Sequence, residues 1–204
     1  MGYLTLAGAA EHEDVVKGSR FLAFARPLGS PDEVEPLLAA RRSAYPDAHH
    51  HVWAWRWGDV LRWSDDGEPA GSAGRPVSEV LLKRELDRVA LVVTRVFGGT
   101  KLGVGGLVRA YGGAAARVLD AAGTRRVAAR QRWRVRVPYA AVDALLRGAA
   151  DDDAVLQWHS DYDAHGAMVT LELLDSVAAG WEQRLADLTR GGARLLERTL
   201  LDPD

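Results

Sequence analysis

The stretch Trp63–Gly113 decides how this chain reads: WSDDGEPAGSAGRPVSEVLL (63–82), DRVALVVTRVF (87–97) and GGTKLGVGGLVRAYGG (98–113). Two glycine-rich segments flank one β-branched apolar run. They carry Asp65, Asp66, Glu68, Ser72, Thr94, Arg95, Lys101 and Arg109. A packed core does not need charges embedded among glycines. Backbone held close to a ligand does.

The apolar run reads as a buried strand, because no polar residue interrupts it before Thr94. Gly98–Gly103 then reads as a loop into an Ala/Gly-rich helix over 104–122 that Gly123 ends. A strand, a glycine loop and a helix N-terminus present backbone N–H groups to an anion, and Lys101 adds a compact charge. The string matches neither GxxxxGK[ST] nor a dinucleotide fingerprint. Gly98, Gly99, Gly103 and Gly105 therefore stand as backbone contacts to a ligand or as close-packing sites, Gly105 and its helical neighbours letting another element approach. The acidic segment 64–74 is equally open: a self-capping turn, a polar ligand contact, or a Mg²⁺ site with Asp65, Asp66 and Glu68 as ligands.

Outward from this centre, residues 3–7 read as a strand. DVVKGSRFLAFAR (14–26) reads as another, bulged near Gly18. A helix follows from Pro31 to Tyr45, then the strand HHHVWAWRW (49–57), a Gly58-Asp59 turn and VLRWS. A helix from Pro76 to Leu86 precedes the buried run. After Arg130 the rhythm becomes strand (133–138), helix (139–150), strand (155–163), strand (167–175), helix (181–190), strand (193–201). This βαββαβ order describes a ferredoxin-like α/β sandwich. The boundary falls near Arg125–Arg130, dividing the chain into domains 1–126 and 130–204.

Of the three consecutive histidines, His49 and His51 share one strand face and His50 takes the other. No third ligand at zinc spacing follows, and no serine stands in a nucleophile elbow. Trp53, Trp55, Trp57 and Trp63, interleaved with Arg56 and Arg62, suit either a core or base stacking.

Composition excludes several classes. The 204 residues contain no cysteine, so disulfides, zinc-thiolate sites and thiol nucleophiles are out. No signal peptide and no membrane-spanning run is read, so a cytoplasmic location is expected. A net charge of −2 gives no broad basic footprint, and any nucleic-acid contact needs a local patch. Residues 1–129 hold 17 Lys+Arg against 15 Asp+Glu and 130–204 hold 9 against 13, so neither part is strongly basic. Only three of the 26 basic residues are lysines, Lys17, Lys83 and Lys101, and two of them sit in VKGSRF and GGTKLG. A compact ammonium there suits space that a guanidinium fork does not fit.

KGSRF (17–21), DAHHHVWAW (47–55), SDDGEPAGSAGRPV (64–77) and VVTRVFGGTKLGVGGLVRAYGGAA (92–115) together resemble the IMPACT family, in its bacterial YigZ-like branch. The resemblance spans roughly 110 residues in order. It implies an α+β protein. Its N-terminal domain would have a left-handed βαβ unit similar to domain IV of elongation factor G, and its C-terminal domain would be similar to domain V. Eukaryotic members regulate translation by binding a regulator of a stress kinase. Lys17, Ser19, Arg20, His50, Asp65, Asp66, Glu68, Thr94, Arg95, Gly98, Gly99, Lys101, Gly103, Gly105, Arg109 and Tyr111 fall on the family's motifs. Ala70, Ser72 and Val96 depart from it, where serine, threonine and tyrosine are usual. The function this implies is a non-enzymatic, translation-associated protein binding RNA or the ribosome through the glycine-rich basic loop. It needs no cofactor, reads no DNA sequence and enters no membrane. The alternatives are a Mg²⁺-dependent enzyme acting on a phosphorylated small molecule or nucleotide, and an adaptor for a protein partner.

Overall fold

A computed structural model of the chain describes residues 2–201 as a mixed α/β protein with five α-helices. Contacts divide it into two compact units, Tyr3–Arg126 and a second running from Val127 onward that also takes in Gly2. None of the helices among the described residues is long and apolar enough to cross a membrane.

The first unit opens with β1 (Tyr3–Leu6), which pairs with β7 (Thr124–Val127) in a small sheet. Its main sheet has five strands. In spatial order these are β2 (Ala10–Val16), β3 (Ser19–Pro27), β6 (Val89–Val96), β4 (His50–Trp57) and β5 (Val60–Ser64), and every neighbouring pair is antiparallel. The central strand β6 is buried along nearly its whole length because helices cover both of its faces. Ala90 and Val92 pack with Leu37 and Leu38 of α1 (Val34–Ala44). Val89, Leu91 and Val93 pack with α2 (Gly74–Lys83) and α3 (Val104–Ala122) on the opposite face. The uninterrupted apolar run read from the sequence is the signature of such two-sided burial.

This arrangement constrains handedness. The crossover β3–α1–β4 steps over β6, and β5–α2–β6 steps back over β4 with both strands reversed. Two such crossovers with helices on one face would share a hand. Here α1 lies on one face and α2 on the other, so one of the pair must be left-handed, against the usual right-handed rule.

Residues 14–26 form two strands rather than one bulged strand. Lys17 (φ 47°) and Gly18 (φ 81°) make a tight two-residue turn, the left-handed pair that a hairpin with native twist requires. The strand β7 was not anticipated. In TRRV only Val127 is buried, too little pattern to register.

The second unit contains β8 (Arg130–Val137), α4 (Tyr139–Ala150), β9 (Val155–Asp163), β10 (Gly166–Leu174), α5 (Ala178–Thr189) and β11 (Arg194–Leu201). The sheet order is β11-β8-β10-β9, antiparallel throughout. Trp133, Val135, Leu145, Leu171 and Trp181 centre its core. The Trp181 indole keeps its polar end satisfied by donating to Asp152 Oδ2 at 3.0 Å.

Candidate functional site

The site forms where β6 ends. Alternation along β6 turns Arg95 to the face shared by α2 and α3, and Thr94 to the α1 face. Beyond Val96 the chain passes so close to the Lys17-Gly18 turn that a Cβ on Gly98 would overlap the Gly18 carbonyl. Only glycine fits there, and Ser19 Oγ closes the approach by accepting from Gly98 N at 3.2 Å.

Glu68 is the hub. Its Oε1 accepts from Arg95 Nη1 at 2.7 Å and from the Tyr111 hydroxyl of α3 at 2.7 Å. The Glu68 and Arg95 side chains are 3 % and 7 % exposed, so this is a buried, hydrogen-bonded ion pair. Arg95 Nη2 reaches Ser19 Oγ at 3.4 Å, while its guanidinium lies over the Phe21 and Phe97 rings at 5.6 and 5.5 Å. Arg95 Nε is buried with no partner. Burial and the adjacent carboxylate push the Tyr111 hydroxyl far above the ordinary phenol pKa, so it remains a donor. Its ring meets Phe21 edge to face at 5.1 Å.

His50 Nδ1 lies 2.8 Å from the Asp66 carbonyl oxygen. A carbonyl only accepts, so Nδ1 carries the proton, and Nε2 is left 3.9 Å from Glu68 Oε1. His51 takes the other strand face, with Nδ1 3.1 Å from Thr94 Oγ1. Burial holds the His51 pKa below the usual imidazole value.

The other acids of the loop accept from backbone amides. The Asp65 carboxylate accepts from the amides of Gly71, Ala73 and Gly74 at 2.9, 3.0 and 2.7 Å, satisfying donors where α2 begins. Asp66 accepts from His51 N. The Ser72 hydroxyl is fully buried and donates to the Pro69 carbonyl at 2.7 Å. Asp65 and Ser72 therefore behave as the self-capping turn, Asp66 ties the loop to β4, and none of the three converges with Glu68 as a ligand set. Among the described residues no group of three His, Asp or Glu side chains is placed to hold a metal ion. Arg20 also stands apart, paired with Glu13 across the β2–β3 hairpin through bonds of 2.6 and 3.0 Å.

Beside Glu68 and Arg95 opens a recess of about 380 Å³, walled by Pro69, Phe97, Leu102, Val104 and Leu107, with Lys101 at its edge. Leu102 also lines a neighbouring recess of about 190 Å³ that contains Lys17, Arg109 and Arg117. Arg117 is paired with Asp14. Lys17, Lys101 and Arg109 are exposed and have no acidic partner among the described residues. Gly103 (φ 70°) turns the chain into α3 between these cations, and Gly99 (φ 85°) is likewise in the left-handed region.

Gly105 corrects an expectation. A Cβ there would meet only Arg109 Nη1, at 3.7 Å, so no second element presses on it. Sequence reasoning took Ser19, Phe97 and Tyr111 only as parts of the family's motifs and not as site residues. An aromatic residue one turn beyond Leu107 on a glycine-rich helix was the available signal for Tyr111.

Comparison with known proteins follows the same residues. Residues 17–119 match the Impact N-terminal domain. The chain is 40% identical over 181 residues to an IMPACT family member in the pol 5′ region of Thermus thermophilus, covering 87% of this chain and 97% of that one. It is 33% identical over 189 residues to the IMPACT family member YigZ of Escherichia coli strain K12, covering 89% and 90%. A crystal structure of a hypothetical protein, 30% identical, superposes with a TM-score of 0.67 over 96% of both chains.

Proposed function

This chain belongs to the IMPACT family, and we propose that within it the protein acts as a non-enzymatic, translation-associated module that contacts RNA or the ribosome. The observation that carries this reading is the grouping of three unpaired cations, Lys17, Lys101 and Arg109, around the Gly98–Gly103 loop and the first turn of α3. Elsewhere in this unit Arg20, Arg26, Arg41, Arg84 and Arg117 are neutralised by carboxylates. Cations left unpaired beside free helix amides suit phosphate, which positions a nucleic acid without reading its sequence.

Two features of the fold support the translation context. The opposite-handed crossovers of the first unit are in keeping with a domain similar to domain IV of elongation factor G. The fully antiparallel β11-β8-β10-β9 sheet in βαββαβ order fits a ferredoxin-like domain similar to domain V. On this reading the protein works in the cytoplasm. Crosslinking and sequencing of RNA bound in cells tests it: ribosomal or transfer RNA recovered with the wild type and lost with Lys101→Ala supports the reading. RNA-free protein overturns it.

A further inference from the structure

We propose that the 380 Å³ recess beside Glu68 receives one unstacked nucleobase of the bound RNA, an inference that rests on the RNA reading above. Its volume falls within the roughly 300–1,000 Å³ of small-ligand sites. Its walls combine two properties that a phosphate contact alone does not require. Pro69, Leu102, Val104 and Leu107 give it an apolar lining, with the Phe97 ring beside them. The polar end holds one acceptor still unused. Glu68 Oε1 takes both Arg95 Nη1 and the Tyr111 hydroxyl, and no donor among the described residues meets Oε2.

An unmet acceptor at the end of an apolar recess suits the exocyclic amino group that adenine, guanine or cytosine carries on its Watson–Crick edge. Flat apolar faces of the base match the aliphatic walls and the exposed ring of Phe97. Charge points the same way. Glu68 and Arg95 neutralise each other, so Lys101 leaves the recess with one surplus positive charge. A nucleotide unit brings one phosphate. Lys17 and Arg109 lie just across Leu102, where the adjoining phosphates of the same strand would pass.

The rigidity of the polar end also matters. Glu68 is held by Arg95 and Tyr111, and Arg95 in turn by Ser19 and two aromatic rings, so the carboxylate's orientation is set before a ligand arrives. A duplex keeps its bases stacked and cannot use the recess. The proposal therefore predicts selectivity for single-stranded RNA.

The experiment compares affinities for a short single-stranded RNA, the same RNA with abasic residues, and a duplex. The wild type is expected to bind the intact strand roughly tenfold or more tightly than the abasic one, as loss of base stacking implies. Val104→Trp, which fills the recess from a position 58 % exposed, should erase that difference. Phe97→Ala, also at an exposed position, should reduce it. Equal affinity of the wild type for intact and abasic strands overturns the inference, as does a Val104→Trp variant that keeps the preference. In either of those cases a loss of binding in Lys101→Ala leaves the phosphate reading standing. Failure of the wild type to bind any of the three RNAs removes both.

Discussion

The Glu68 carboxylate lies 2.7 Å from the Arg95 guanidinium, and both side chains are more than nine-tenths buried. Each ion has lost its water and depends on the other. The pair joins the acidic loop to the C-terminal end of β6, and Tyr111 adds α3 to the same oxygen. The floor of the recess is therefore fixed by three separate parts of the fold.

Breaking the pair from one side leaves an uncompensated buried charge. Glu68→Gln and Arg95→Met should each lower unfolding free energy by about 3–5 kcal/mol. Replacing both together, Glu68→Leu with Arg95→Met, should recover much of that loss. Urea unfolding of the two single variants and the double variant measures it. Additive losses would mean that the two residues stabilise the fold independently.

Tyr111→Phe removes one hydrogen bond to a charged acceptor and leaves the ring packing against Phe21. A loss of about 1.5–3 kcal/mol is expected in the same urea experiment. A change below a few tenths would show that Glu68 does not rely on this donor.

The glycines of the second loop should separate into two kinds. Gly98→Ala should abolish or severely weaken folding, because the added Cβ overlaps the backbone of the β2–β3 turn. Gly105→Ala should be neutral or stabilising by up to about 1 kcal/mol, since the site is open and alanine favours helix. Melting temperatures of the two variants decide the matter, and equal destabilisation would contradict it.

Stability should depend on pH through His51. Burial lowers its folded-state pKa below the value of the free ring, near 6.5. Above that value both states are neutral and the full stability is present. As pH falls through about 6.5 the unfolded chain takes up a proton that the native state resists, so stability declines from there down to the folded pKa. His51→Asn, which retains a polar partner for Thr94, should flatten the slope of melting temperature between about pH 7.5 and pH 5.5. An unaltered slope would place the titration elsewhere.

The sequence disclosed β6 and the two loops more readily than the division of labour inside them. Residues 87–97 stood out because two-sided burial removes polar interruptions, and Val89–Val96 is the strand found. The Lys17-Gly18 turn was concealed, since the apolar alternation resumes on either side and lysine is not a usual residue at positive φ. Asp65, Asp66 and Glu68 looked equivalent as neighbours in one acidic loop. Their roles differ because the partners of Glu68 lie 27 and 43 residues away in the chain, while Asp65 is answered by amides within nine residues. Local composition marks where charge collects. Only the closed fold decides which charge is neutralised, and that separates Arg20, paired with Glu13, from the unpaired Lys17 three residues before it.

The most direct measurement is the salt dependence of affinity for a single-stranded RNA, compared between the wild type and the Lys17→Ala, Lys101→Ala, Arg109→Ala triple variant. Each phosphate contact to a single strand contributes about 0.7 to the slope of log affinity against log salt. The account predicts a slope shallower by about 2 in the triple variant, together with weaker binding at low salt. An unchanged slope and affinity would contradict it, and would mean that the cations around Gly98–Gly103 are not where this protein meets RNA.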